Sequence, residues 1–206
     1  MAASLSAAAF LSAVVVISLL ASTSTASSSR LLSAAAATTN TEFIRTSCSA
    51  TTYPKLCYSS LAVHASKIQT SARLLVSTAL DVTLSSAKST SAAMVKLSRT
   101  HGISPREAAA MRDCAEELAD SVDQISRSID EMAGSKGGGG DFVMMISNVQ
   151  TWVSAALTDE STCDDGFDGK EMAGVMKAVV RGKVETVAHL TSNALALINA
   201  YAALRH

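Results

Sequence analysis

The sequence predicts an all-α protein: an up-down-up-down four-helix bundle preceded by a short N-terminal helical hairpin, with two disulfides. Three observations point to this. The composition is rich in Ala, Leu, Ser and Val, and its only prolines are Pro54 and Pro105. Apolar residues recur every three or four positions through several long segments, the period of helices that bury one face. Four cysteines, Cys48, Cys57, Cys114 and Cys163, follow an apolar leader, and in an exported chain such cysteines form bridges rather than metal sites.

The leader, residues 1–26, reads as a signal peptide. Phe10 to Ala21 is an apolar h-region, and Ser24 and Ala26 suit the positions before a signal-peptidase cut. The first basic residue is Arg30, so the n-region carries only the amino terminus. An uncleaved anchor fits less well, because the run is interrupted by serines and falls short of the roughly 20 residues a bilayer span needs. Residues 27–39 read as a low-complexity linker and residues 40–206 as a single domain with room for a real core. The expected location is secreted and extracellular, with no membrane attachment once the leader is cleaved.

Two short helical pieces come first, Thr41 to Ala50 and Tyr53 to Val63, with Pro54 suited to the first turn of the second. A long segment from about Ser66 to His101 follows the helical period loosely and meets a C-terminal cap at Gly102. The next start is the clearest in the chain. Ser104-Pro105-Arg106-Glu107 offers a capping serine, a proline at the first helical position and a glutamate three after the cap. Met111, Ala115, Leu118, Val122, Ile125, Ile129 and Met132 then form one stripe. Gly134 and Gly137 to Gly140 break the chain, and a third helix carries Met145, Val149, Trp152 and Ala156 before ending near Cys163. A turn from Asp164 to Gly169 leads to the last helix. Its stripe reads Met172, Met176, Val179, Lys183, Val187, Leu190, Ala194, Leu197 and Tyr201, with Lys183 as the one polar interruption.

Four cysteines allow three connectivities. With the two helices antiparallel about the glycine loop, Cys114 and Cys163 lie about 27 and 31 Å from it, nearly level at about 1.5 Å per residue. Cys48 and Cys57 are the local pair across a turn. The expected bridges are therefore Cys48–Cys57 and Cys114–Cys163.

Charges nearly cancel, 17 Lys+Arg against 18 Asp+Glu, and no polybasic run exists, which argues against a nucleic-acid partner. His64, His101, His189 and His206 are scattered without a second ligand at metal spacing. No nucleophile elbow, phosphate loop or dinucleotide fingerprint occurs. Asp164-Asp165 reads as solvated helix-end acid. No catalytic residue, cofactor or metal is expected, and the chain is not read as an enzyme. One constellation stands out. Glu116, Asp120 and Asp123, at i, i+4 and i+7, fall within roughly 60° of arc, opposite Leu118, Val122 and Ile125. Arg127 and Asp130 continue this strip. Such a face commonly serves only solubility, and it equally suits a basic docking partner.

The opening FIRTSCSATTYPKLCYSSL, the DCAEELADSVDQIS segment, NVQTWVSAALTDESTCDDGF and the closing LTSNALALIN together resemble the plant invertase/pectin methylesterase inhibitor domain, over roughly Thr41 to Arg205. The resemblance implies a four-helix bundle with an N-terminal hairpin and secretion to the cell wall. It implies inhibition of pectin methylesterase by one-to-one occlusion of the polysaccharide cleft. Acidic contacts would then come from Glu116, Asp120 and Asp123, with Thr162 and Asp165 beside the second bridge. Acid invertase is the alternative target, and a non-inhibitory cell-wall module is a further one. The invertase-directed branch carries a Pro-Lys-Phe element where this chain has Gly134-Ser135-Lys136 and four glycines, which favours the methylesterase. The same domain also precedes methylesterase catalytic domains. With none after His206, the expectation is a stand-alone inhibitor of open oligomeric state.

Overall fold

A computed structural model describes residues 35–134, 139–168 and 175–204, and among these there is no strand. The leader, most of the linker, Lys136, Met172 and His206 lie outside the described residues. Helix α1 covers 35–49 and begins inside the tract read as linker. Ala35 to Ala37 are strong helix formers, and the Thr39 and Thr41 hydroxyls donate back to the Ala35 and Ala37 carbonyls at 3.0 Å. Helix α2, Pro54–Leu61, runs through a 3-10 turn, Ala62–His64, into the short α3, Ala65–Ile68. Here the structure departs from the sequence reading. The segment from Ser66 is not continuous with the long helix, because Gln69 takes φ 53° and turns the chain.

The bundle is made of α4 (Ala72–Leu97), α5 (Pro105–Gly134), α6 (Gly139–Asp165) and α7 (Val175–Ala203), of 26, 30, 27 and 29 residues. Ser71 caps α4, its hydroxyl accepting from the Leu74 amide at 3.3 Å. The helix stops at Leu97 rather than His101, and Gly102, at φ 88°, serves the connecting turn. The Ser104 capping box forms in full. The Ser104 amide donates to Glu107 Oε2 at 2.8 Å and the Glu107 amide donates to Ser104 Oγ at 3.2 Å. Each long helix packs on two others, α4 and α6 both against α5 and α7, which is the four-helix ring.

The core has two layers. One, around Met94, Met111, Leu118, Phe167, Val180 and Val184, encloses the Cys114–Cys163 bridge, and the larger one fills the rest of the bundle and the hairpin side. Both expected disulfides form, with Cα separations of 5.5 Å for Cys48–Cys57 and 4.4 Å for Cys114–Cys163. Most stripe residues are buried as read, and the departures are local. On α7, Val187, Leu190, Ala194, Leu197 and Tyr201 are buried, but Val179 is 44% exposed and Lys183 is exposed, with Val180 and Val184 buried instead. Shifting those two positions by one residue removes the polar interruption. On α6, Val153 is buried in place of Trp152, which is half-exposed. On α5, Ser121 is buried and Val122 only half so.

Asn193 of α7 clasps the hairpin backbone. The Tyr53 amide donates to Asn193 Oδ1 and Asn193 Nδ2 donates to the Tyr53 carbonyl, both at 3.0 Å. A carboxamide thus pairs with a peptide unit as a neighbouring strand would. The Tyr53 ring stacks on His189 with centroids 3.6 Å apart.

Candidate functional site

The α5–α6 pair is held in antiparallel register by three links: Cys114–Cys163, Ser121 to Glu160 at 2.7 Å, and Asn148 to Glu131 at 3.1 Å. That register sets Thr162 level with Glu116 and Asp159 level with Asp120. Glu116, Asp120 and Asp123 are all exposed on the outer side of α5, while Leu118 and Ile125 on its inner side are fully buried. None of the three acids forms an ion pair among the described residues. The strip therefore forms as the helical spacing requires.

It is also wider than the spacing alone suggests. Asp159 on α6 has its carboxyl pushed up to about 6, first by partial burial and then by the negative charges of Asp120 and Glu117 across the seam. Asp159 Oδ2 and, on α5, Gln124 Oε1 are buried without hydrogen-bond partners. The sequence reading singles out neither Asp159 nor Glu117. Asp159 sits four residues before Cys163, which places it toward the side of α6 that meets α5, and that spacing is the available signal.

Thr162 is exposed, and its hydroxyl donates to the Thr158 carbonyl at 2.9 Å, so its lone pairs remain free to accept. Asp165 is exposed at the C-terminus of α6, where the helix dipole disfavours a negative charge. It stands apart from the strip, lining a cavity of about 320 Å³ between α6 and α7 with Asp164 and Glu185. Asp164 is not the freely solvated acid expected from its turn. Arg181 grips it through Nε at 3.1 Å and Nη2 at 2.7 Å, and reaches Asp168 through Nη1 at 3.1 Å.

Behind the strip lies a second unanticipated carboxyl. Glu160 is 0% exposed, and its Oε1 accepts from Ser121 on α5 and from Thr191 on α7 at 2.8 Å. Oε2 has no partner. Burial pushes Glu160 up to about 7 against the lowering effect of its two hydroxyl donors. Its position continues the Val149, Val153, Ala156 spacing, so a charged residue on an apolar stripe is the visible signal. No group of three His, Cys, Asp or Glu able to hold a metal occurs among the described residues, nor is any helix long and apolar enough to cross a membrane.

The family model described as plant invertase/pectin methylesterase inhibitor matches residues 42–197. A 21 kDa protein of Daucus carota is 51% identical over 79% of this chain and 84% of its own length. Pectinesterase inhibitor 11 of Arabidopsis thaliana is 49% identical over 78% of this chain and 80% of its own. Among solved structures, a mutant form of a pectin methylesterase inhibitor from Arabidopsis superposes with a TM-score of 0.59 at 25% identity. It covers 74% of this chain and 92% of that one.

Proposed function

The chain belongs to the plant invertase/pectin methylesterase inhibitor family, and on that premise we propose that it is a protein inhibitor of pectin methylesterase. It acts as a ligand of the enzyme and not as a catalyst. The observation that carries the reading is the exposed row of Glu116, Asp120 and Asp123, unpaired and extended across the helix seam by Asp159. A rigid two-helix face bearing concentrated negative charge, on a protein of net charge −1, fits a basic rim on an enzyme whose substrate is itself anionic once demethylated. The rigidity comes from the Cys114–Cys163 bridge and the buried Glu160 contacts, so little order is lost on docking. Thr162 accepts a hydrogen bond at the level of Glu116, and Asp165 offers an uncompensated acid at the end of α6. Docked over the polysaccharide cleft in a one-to-one complex, the bundle blocks access without chemistry of its own. The apolar leader directs it to the cell wall, where that enzyme works.

The test is paired inhibition at mildly acidic pH, using the oxidised domain against a pectin methylesterase and separately against an acid invertase. Inhibition of the methylesterase alone is the expected result. Inhibition of invertase alone would transfer the reading to that enzyme. Inhibition of neither would leave a non-inhibitory wall module.

A further inference from the structure

On the side of the bundle away from the acidic strip, α4 and α7 enclose a groove of about 650 Å³ whose chemistry is of the opposite kind. Its walls carry hydroxyls, and Lys67, Lys183 and His64 supply nitrogen donors. Lys67 is already engaged, its Nζ lying 2.8 Å from Asp81 Oδ2, whereas Lys183 is exposed and has no ion-pair partner among the described residues. With two lysines against one aspartate, and neutral histidine, the groove carries a formal charge of +1. The cavity between α6 and α7, by contrast, is lined by acids without Lys or Arg.

The hydroxyls of the groove differ in their bonding. Thr186 returns its hydroxyl to the Gly182 carbonyl at 2.7 Å, as Thr83, Thr151, Thr158, Ser161 and Thr162 do to the carbonyl one turn back elsewhere in the helices. Ser85, Ser86 and Ser89 in this groove make no such bond among the described residues. Thr78 lines the same groove, is 1% exposed, and its hydroxyl has no partner. Gly182 on the α7 wall costs a helix interior about 1 kcal/mol relative to alanine. A side chain there would meet nothing within 4 Å. No packing contact requires the glycine, and its effect is to keep the groove open.

An open groove of this size, with several free hydroxyls, a free ammonium and no aromatic or continuous apolar wall, suits a ligand that is polar along its whole length. Both hydroxyls and negative charge are required of it. A lone phosphate would leave most of the lining unused, and an apolar ligand would bury unpaired hydroxyls. We propose that the α4–α7 groove is a second binding site, for a short carboxylated oligosaccharide, with Lys183 meeting a carboxylate and the α4 serines meeting sugar hydroxyls. The site is remote from the acidic strip and stands whether or not the inhibitor reading holds. If both hold, one face of the protein engages the enzyme while the other engages the charged polymer that the enzyme produces.

Calorimetric titration of the oxidised protein at low salt tests this with three probes: trigalacturonate, its fully methyl-esterified counterpart, and a tri-glutamate peptide of equal charge. Saturable one-to-one binding of trigalacturonate is expected, at least tenfold tighter than either control. Lys183→Glu should weaken it tenfold or more. Gly182→Leu should abolish it by filling the groove, with helicity retained and the melting temperature unchanged or raised, because the new side chain enters open space and a helix glycine is removed. Lys183→Glu should also leave enzyme inhibition unchanged, which separates failure of this proposal from failure of the inhibitor reading. Absence of binding, equal binding of tri-glutamate, or binding unchanged by both substitutions would each overturn it.

Discussion

The Ser121 hydroxyl donates to Glu160 Oε1 at 2.7 Å, tying α5 to α6 through a carboxyl that is fully buried. Thr191 donates to the same oxygen from α7, so three of the four bundle helices meet at one atom. With Oε2 unpartnered, the ionised form would leave charge in the core, and the neutral acid is favoured up to about pH 7.

The bundle should therefore be more stable in acid than at neutrality. Glu160 titrates at about 7 when folded, against an ordinary value of 4.5. A raised carboxyl contributes stability that is complete below the unfolded value and is lost as pH rises through the folded one. The expected loss between pH 4.5 and 7 is roughly 3 kcal/mol, at about 1.4 kcal/mol for each pH unit that separates the two values. Denaturant unfolding at a series of pH values reads this directly. Glu160→Gln should make the profile shallower over that window and nearly flat above pH 6, leaving below it the slope that the raised Asp159 carboxyl contributes, and an equally steep profile in the variant would place the pH dependence elsewhere.

Charge reversal on the strip is expected to act on binding alone. Asp120→Lys with Asp123→Lys should weaken inhibition of pectin methylesterase by tenfold or more. Helicity should be unchanged, because both side chains are exposed and make no ion pair among the described residues. Wild-type inhibition should also weaken with added salt, as partly screened contacts do. Unchanged inhibition by the double variant would remove the strip from the interface.

Asp120 should be detectable from within the protein as well. Its charge helps to raise Asp159 to about 6, so Asp120→Asn should bring the Asp159 titration down. Carboxyl-carbon NMR across pH 3–8 would show it. A stationary Asp159 midpoint would mean that burial and Glu117 raise the carboxyl without Asp120.

Much of this arrangement is legible in the residues. Ser104 and Glu107 announce their capping box because both partners lie within one turn. Glu116, Asp120 and Asp123 fall on one face because a single helix sets their angles, and the Cys114–Cys163 pairing follows from the heights of two antiparallel helices. What escapes depends on contacts far apart in sequence or on backbone without a residue signature. Gln69 carries no mark of its positive φ. Val179 and Lys183 read as inward because a stripe extrapolated from Met172 cannot sense where α4 and α6 close the core. Glu160 stands on the apolar stripe of α6, but its burial role is not legible, since the hydroxyls that satisfy it come from 39 residues before and 31 residues after.

The larger disulfide is expected to dominate stability. Cys114–Cys163 closes a loop of 49 residues, for which loop-closure entropy suggests about 3–4 kcal/mol. Replacing both cysteines by serine should lower the unfolding free energy by about that amount. Removing Cys48–Cys57, which closes only 9 residues, should cost less. Equal losses from the two would indicate that hairpin docking, rather than chain entropy, governs the smaller bridge.

Asn193 offers a sharper test of that docking. Its side chain both accepts from the Tyr53 amide and donates to the Tyr53 carbonyl, and it is buried. Asn193→Ala would leave both peptide groups without their partner, at a cost of about 1–3 kcal/mol for each group that stays dry. The hairpin has a cheaper escape, which is to swing away from α7 and hydrate Tyr53 while the bundle stays folded. Hydrogen exchange should then rise in 44–61 with little change across α5 and α6. A uniform rise in exchange throughout the chain would instead mean that hairpin and bundle unfold as one unit, with the Tyr53–His189 stack and the buried Ile44 and Leu61 holding them together.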